Sequence, residues 1–215
     1  MIKVAHAIYD EYGKTVGGNA GDQTKKEVCI WDWYKSGSGW THVLRAKDKE
    51  VANVISKTAQ DITANDKVGY DQKNRTSLYD KAVKAKYDIP KITEPCECDC
   101  SAMVSVCINA AGVPISKSIY TGNQVSAIKA TGKFDILTDK KYLNSAEHLR
   151  DGDILFRKGH TAVAVEIKRQ FKLTSPYMRG DDVKELQALI DVTTDGVYGP
   201  ATDKKVKEIL DALGL

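Results

Sequence analysis

Between Asp99 and Gly112 the chain reads D-C-S-A-M-V-S-V-C-I-N-A-A-G, a spacing that fits a helix with both ends marked. Apolar residues recur at Met103, Val104, Cys107, Ile108 and Ala111, steps of three and four that put them on one helical face. Gly112 and Pro114 supply the stop. Asp99 is placed to accept hydrogen bonds from the first turn as an N-cap, which leaves Cys100 inside that turn. A thiol there meets the positive end of the helix dipole and unpaired backbone N–H groups. Both are expected to lower its pKa and favour the thiolate. Position alone decides little, because a cysteine buried in a helix is commonly just a small apolar residue.

A second segment adds a base. Residues 151–166 read D-G-D-I-L-F-R-K-G-H-T-A-V-A-V-E. Asp151-Gly152 marks a turn, Ile154 to Phe156 reads as one short strand, and the β-branched run Thr161 to Val165 as another. His160 opens the second strand directly after Gly159. A histidine at a strand edge can face a helix N-terminus across a cleft, which is what a cysteine nucleophile and its base require. The plain alternative is a solvated turn histidine.

D-C-S at a helix start, followed about 60 residues later by G-D-I-L-F and G-H-T-A-V-A-V, resembles the NlpC-type and CHAP cell-wall hydrolases. These are papain-like enzymes that cut amide bonds in peptidoglycan, and the resemblance covers roughly residues 90–167. It implies that Cys100 is the nucleophile and His160 the general base, in an α+β, papain-like domain. The chain departs from the family upstream of the cysteine, where Ile89 to Glu97 reads I-P-K-I-T-E-P-C-E instead of an aromatic, glycine-rich run. The family adds a third polar residue to orient the imidazole. Glu166 is nearest in sequence, but six strand residues separate it from His160, about 20 Å. The third member is therefore expected from elsewhere.

The first 27 residues offer it. H-A-x-x-D-E-x-G-K, then A-G-D-Q-T, is similar to the opening segment of lysins encoded by phages of Gram-positive bacteria. The family triad is often Cys-His-His, so the resemblance implies His6 as the orienting residue. It also implies Gln23 as an oxyanion donor, as a glutamine serves papain-like enzymes, and such a donor matters greatly for rate. Asp22, Asp99 and Ser101 complete the candidates for oxyanion or substrate contacts. The bland readings are a packed strand histidine and an aspartate capping a turn. Thr24 with Glu27 fits a capping box that would open a short helical turn.

The tail carries a separate pattern. Val183, Leu186, Leu189 and Ile190 form one helical face, and Val206, Ile209, Leu210 and Leu213 another. Asp195-Gly196 is a turn, and Pro200 takes the favoured first position of the second helix. R-G-D-D-V-K-E-L-Q…D-G-V-Y-G-P-A-T resembles the small helical peptidoglycan-binding domain, lacking its third helix. A simple dimerising hairpin is the competing reading. The expected organisation is a catalytic domain over 1–168, a linker over 169–176 and a small all-α module over 177–215, which suits the length of 215 residues.

The remaining segments read as scaffold. Glu27 to Ala46 suggests a hairpin carrying Trp31, Trp33, Tyr34 and Trp40, aromatics expected mainly in the core. Helices are expected over Asp48–Ile62, Asn74–Lys86 and Asn123–Ala130, and an extended segment over Lys133–Thr138. Tyr70 and Tyr120 read as loop residues that can line a cleft. Strands and helices are segregated rather than alternating, which argues α+β.

Residues 170–215 carry a net charge of −2 against +3 for the whole chain, leaving +5 on residues 1–169. A basic domain suits encounter with an anionic Gram-positive wall. No long basic run points to nucleic acid. Cys96, Cys98 and Cys100 suggest a zinc site as a rival, but the usual C-x-x-C pairs are missing. Five cysteines also leave any disulfide framework incomplete. No segment approaches the roughly 20 apolar residues of a membrane span or the core of a signal peptide.

The expectation is thus an endolysin-like peptidoglycan hydrolase, monomeric or weakly oligomeric, using no metal or other cofactor. It would be made in the host cytoplasm and reach the wall at lysis. An N-acetylmuramoyl-L-alanine amidase is one rival, and a non-enzymatic wall-binding or thiolate-metal protein another.

Overall fold

The computed structural model describes residues 2–35, 37, 39–167 and 171–214. It divides into two compact units, residues 1–167 and 168–215. Residues 168–170, which span the end of the expected catalytic domain and the start of the expected linker over 169–176, lie outside the described residues.

The first unit is built on one antiparallel sheet. Its strands are β1 (Ile2–Ala7), β2 (Val28–Asp32), β3 (His42–Ala46), β6 (Phe134–Leu137), β7 (Ile154–Arg157) and β8 (His160–Glu166), in the order β2-β1-β8-β7-β3-β6. Residues 27–46 therefore do not form the expected hairpin. Strand β2 pairs with β1, and β3 pairs with β6 and β7 near the opposite edge. A local turn signal cannot register this, because the partner strands lie far away in sequence.

Helices α1 (Lys49–Ala64) and α3 (Cys100–Ala110) pack on one face of the sheet and against each other. Asp48 caps α1 by accepting the Glu50 N–H at 2.8 Å, and the helix buries Ile55, Ala59 and Ile62. Strand alternation sends Ala5, Ala7, Val163 and Val165 to this helical side. Val4, Trp40, Val43, Leu149, Leu155 and Ala162 fill a second cluster on the other side. Every residue of α3 from Cys100 to Ile108 is buried, so the expected amphipathic helix is a core helix. Complete burial of Met103, Val104, Val106 and Ile108 stabilises the unit by roughly 1.5–3 kcal/mol each.

Short parallel strands β4 (Val68–Tyr70) and β5 (Cys96–Cys98) lead the chain into α3. Tyr70 is thus a buried strand residue, whereas Tyr120 is exposed in a loop. Helix α2 (Ser77–Lys84) is shorter than the segment read for it, and α4 (Gln124–Ala130) and α5 (Lys140–Leu143) complete the unit. The capping box expected at Thr24 does not open a helix. Glu27 is buried instead and accepts the N–H groups of Gln23 and Tyr70 at 2.8 and 3.1 Å.

The G-D-I-L-F segment has a clear mechanical role. Asp153 is buried and receives a two-pronged bond from Arg45, at 2.8 Å from Nε and 2.6 Å from Nη2, tying β3 to the start of β7. Gly152 has φ +80°, and a Cβ there would lie 2.2 Å from the Ala52 carbonyl oxygen on α1. Only glycine permits this approach.

The second unit is not purely helical. Helices α6 (Asp181–Leu189) and α7 (Pro200–Leu213) accompany a two-stranded ribbon, β9 (Met178–Arg179) against β10 (Val197–Tyr198). Gln187 holds it together from within. Its amide donates to Asp195, the Val197 carbonyl and Thr202, and its oxygen accepts the Gly196 N–H at 2.8 Å. Val183 is fully buried, but Leu189 and Leu213 of the expected apolar faces are exposed.

Candidate functional site

Cys100 is the first residue of α3. The Asp99 side chain caps the helix by accepting the Ala102 N–H at 2.7 Å. Arg75 fixes that cap: its Nε lies 2.5 Å from Asp99 Oδ2, its Nη2 3.1 Å from Oδ1, and Nη2 also reaches the Ile119 carbonyl. Ser101 Oγ donates to Asp99 Oδ1 at 3.3 Å. The side chains of Asp99 and Ser101 are therefore engaged in holding the helix start.

The backbone N–H groups of Thr161 and Ser101 lie on the side of the Cys100 sulfur and favour its charged form. Thr161 follows His160 directly in β8 and is itself anchored: its hydroxyl donates to the Leu155 carbonyl at 2.8 Å and accepts the Gln124 amide at 2.9 Å. The cysteine thus sits against the same end of β8 that carries the histidine.

The expectation of a lowered thiol pKa does not hold. Burial pushes the Cys100 thiol up to about 11, with the Asp99 negative charge adding to it. Bonds from Thr161 and Ser101 offset this only in part, because desolvation of a thiolate outweighs two N–H groups and a helix end. Burial also lowers His160 to about 4, with Arg157 adding to the effect. These shifts leave Cys100 a thiol and His160 a neutral imidazole at neutral pH.

His6 lies in β1, the strand beside β8, and its Nδ1 is 3.4 Å from His160 Nε2. Tyr34 stands between them, its hydroxyl 2.9 Å from His6 Nδ1 and 3.1 Å from His160 Nε2. Burial lowers His6 to about 3, and the neighbouring His160 lowers it further. His6 is almost fully buried, and its Nε2 has no hydrogen-bond partner. Trp31 meets the His6 ring edge-on at 4.7 Å, and Trp40 stacks on His160 at 5.9 Å. Trp40 is core as expected, but Trp31 is 47% exposed.

Gln23 is exposed, and its amide donates to the carbonyls of Ala20 and Gly21, both at 3.0 Å. Asp22 closes the same turn, accepting N–H groups from Thr24, Lys26, Glu27 and Val28. Both side chains are occupied locally. Glu166 is exposed at the far end of β8 from His160. Among the described residues no group of three or more His, Cys, Asp or Glu side chains is disposed to hold a metal ion. A cavity of about 520 Å³ bounded by Lys25, Cys29, Lys57 and Asp61 includes none of the histidine or Cys100 atoms.

The endolysin-like domain family matches residues 4–170, which takes in β1 with His6, Cys100 and His160. The chain belongs to the endolysin-like domain family. No curated protein and no solved structure matches it. Membership gives the first unit a cell-wall lytic character with peptidoglycan as the implied substrate, and leaves the catalytic type open. The match ends at residue 170 and does not include β9, β10, α6 or α7 of the tail unit. No helix among the described residues is long and apolar enough to cross a membrane.

No role was read for Tyr34, Thr161, Arg75 or Gln124: Thr161 lies inside G-H-T-A-V-A-V but counted there only as a strand residue, and Arg75 and Gln124 sit in no recognisable motif. Tyr34 read as one more aromatic, and the signal that could have drawn it out was the W-D-W-Y cluster following a strand.

Proposed function

We propose that this endolysin-like protein is a cysteine hydrolase that cleaves an amide bond of peptidoglycan, with Cys100 as nucleophile and His160 as base. The observation that carries the reading is His160 Nε2 already engaged with Tyr34 and His6, at the end of β8 whose next residue, Thr161, bears on the Cys100 sulfur. That engagement leaves Nδ1 as the basic nitrogen. On this reading the enzyme is papain-like, of NlpC or CHAP type, with His6 as third member.

In the first step the sulfur attacks the carbonyl carbon as its proton passes to His160 Nδ1. Because thiol and imidazole rest neutral, proton transfer accompanies attack rather than preceding it. The oxyanion meets the N–H of Cys100 at the start of α3, since Ala102 and Met103 already donate to Asp99. The C–N bond then breaks and the amine leaves with the proton from His160. Water, deprotonated by His160, hydrolyses the thioester and restores the thiol. The tail unit serves in this reading as a wall-binding module.

Substitution of Cys100 with Ala tests the proposal. The variant should lose lysis of purified Gram-positive walls while still sedimenting with them, and retained lysis would sink the assignment. Mass spectrometry of the digest separates the scissile bonds. A new amine on L-alanine with free muramic lactyl carboxyl groups marks an amidase, and other new peptide termini mark an endopeptidase.

A further inference from the structure

We infer that Tyr34 is a positioning residue of this site, a neutral hydroxyl bridge that fixes the tautomer and orientation of His160 through His6. The inference rests on the cysteine-hydrolase reading above and adds a residue to it. Its two bonds, 2.9 Å to His6 Nδ1 and 3.1 Å to His160 Nε2, are both shorter than the direct 3.4 Å separation of the two imidazoles.

The proton inventory allows one arrangement that serves a base. To accept from sulfur at Nδ1, neutral His160 must carry its proton on Nε2. That Nε2–H donates to the Tyr34 oxygen. The tyrosine has a single proton, which it donates to His6 Nδ1. His6 then holds its own proton on Nε2, the buried nitrogen with no acceptor. His6 is thereby an acceptor at the end of a chain of two bonds.

A tyrosine suits the bridge because it stays neutral. Burial raises the Tyr34 hydroxyl above its ordinary pKa, so it neither ionises nor places a charge beside the imidazolium that forms during attack. Its location is also constrained. Trp40 donates its indole N–H to the Tyr34 carbonyl at 2.8 Å while its ring stacks on His160. Trp31 packs edge-on to the Tyr34 ring at 5.9 Å. One tryptophan thus sets both the base and the backbone of its positioning residue.

The experiment compares the full chain with Tyr34→Phe, His6→Ala, the double variant and Cys100→Ala. Lysis of purified Gram-positive walls is followed against wall concentration, and His160 ring nitrogens are followed by ¹⁵N NMR over pH. Loss of one hydrogen bond to a charged group should lower the maximal lysis rate roughly 10- to 100-fold. The half-saturating wall concentration should stay within about twofold, because the bridge acts on the reacting base and not on binding. The double variant should be slower than His6→Ala by far less than the Tyr34→Phe factor, since both break one chain. In Tyr34→Phe the Nε2–H tautomer of His160 should lose population and its pKa should fall, because the imidazolium loses an acceptor.

An unchanged rate and tautomer with an inactive Cys100→Ala would overturn the bridge and leave the cysteine reading standing. A lytic Cys100→Ala would overturn both. Factors that multiply fully in the double variant would also refute it, by making Tyr34 an independent packing residue. The phenyl ring keeps the aromatic packing, and near-ultraviolet circular dichroism of Tyr34→Phe reports whether the fold is intact.

Discussion

The resting sulfur should alkylate as a buried thiol and not as a thiolate. Burial, helped by Asp99, raises Cys100 from 9.0 to about 11. At pH 7 about 1 thiol in 10,000 would then be ionised, against about 1 in 100 at the ordinary value. Because the thiolate is the attacking species, iodoacetamide should modify Cys100 roughly 100-fold more slowly than the same residue in denatured protein. Restricted access at 7% exposure slows it further. The rate should rise about tenfold per pH unit from pH 6 to 10, with no plateau. Peptide mapping by mass spectrometry after timed quenching resolves Cys100 from Cys29, whose thiol burial also raises to about 11. A Cys100 rate that is flat between pH 5 and 9 and exceeds that of the denatured protein would refute the reasoning. It would mean that a thiolate–imidazolium pair pre-exists and that proton transfer precedes attack.

Arg75→Ala leaves the Asp99 carboxylate buried without its partner, which should cost about 3–5 kcal/mol and be seen as a lower denaturant midpoint. Glu97 is buried, with one carboxylate oxygen lacking a partner, and burial together with Glu27 and other acids raises it from 4.5 to about 8 despite a bond from the Gly21 N–H. A raised folded value means stability is full below about pH 4.5 and is lost as pH rises through about 8, on the order of 2–4 kcal/mol. Chemical denaturation across that range should show this slope in the parent and a flatter one in Glu97→Gln, and equal slopes would refute it. Gly152→Ala combines a left-handed φ with a clash against Ala52 and should lower Tm by several degrees or prevent folding, measured by calorimetry.

The site was partly legible in the chain because its first parts are local. D-C-S before an apolar run encodes a capped helix start, and G-H before a β-branched run encodes a strand start. Both are set by backbone chemistry within a few residues. The α+β class followed from the order of the elements.

The electrostatics were not legible, because helix-end effects are local while desolvation depends on everything packed around the atom. Cys100 shows the difference: one turn of helix suggests a thiolate, whereas its surroundings hold a thiol. Asp22 and Gln23 likewise have side chains of the right type, but the turn they form absorbs them.

The sequence by itself singled out a cysteine and a histidine as candidates, marked the helix and strand that start at them, and carries the family match over residues 4–170. Only tertiary structure decided that β1 lies beside β8, which carries His6 to His160 across 154 positions. The same folding separates residues 28–32 and 42–46 onto different partners and leaves Tyr34, in the connection between them, bonded to both histidines. The physical reason is that strand pairing is fixed by which apolar faces can be buried together. A short window of sequence does not contain that information.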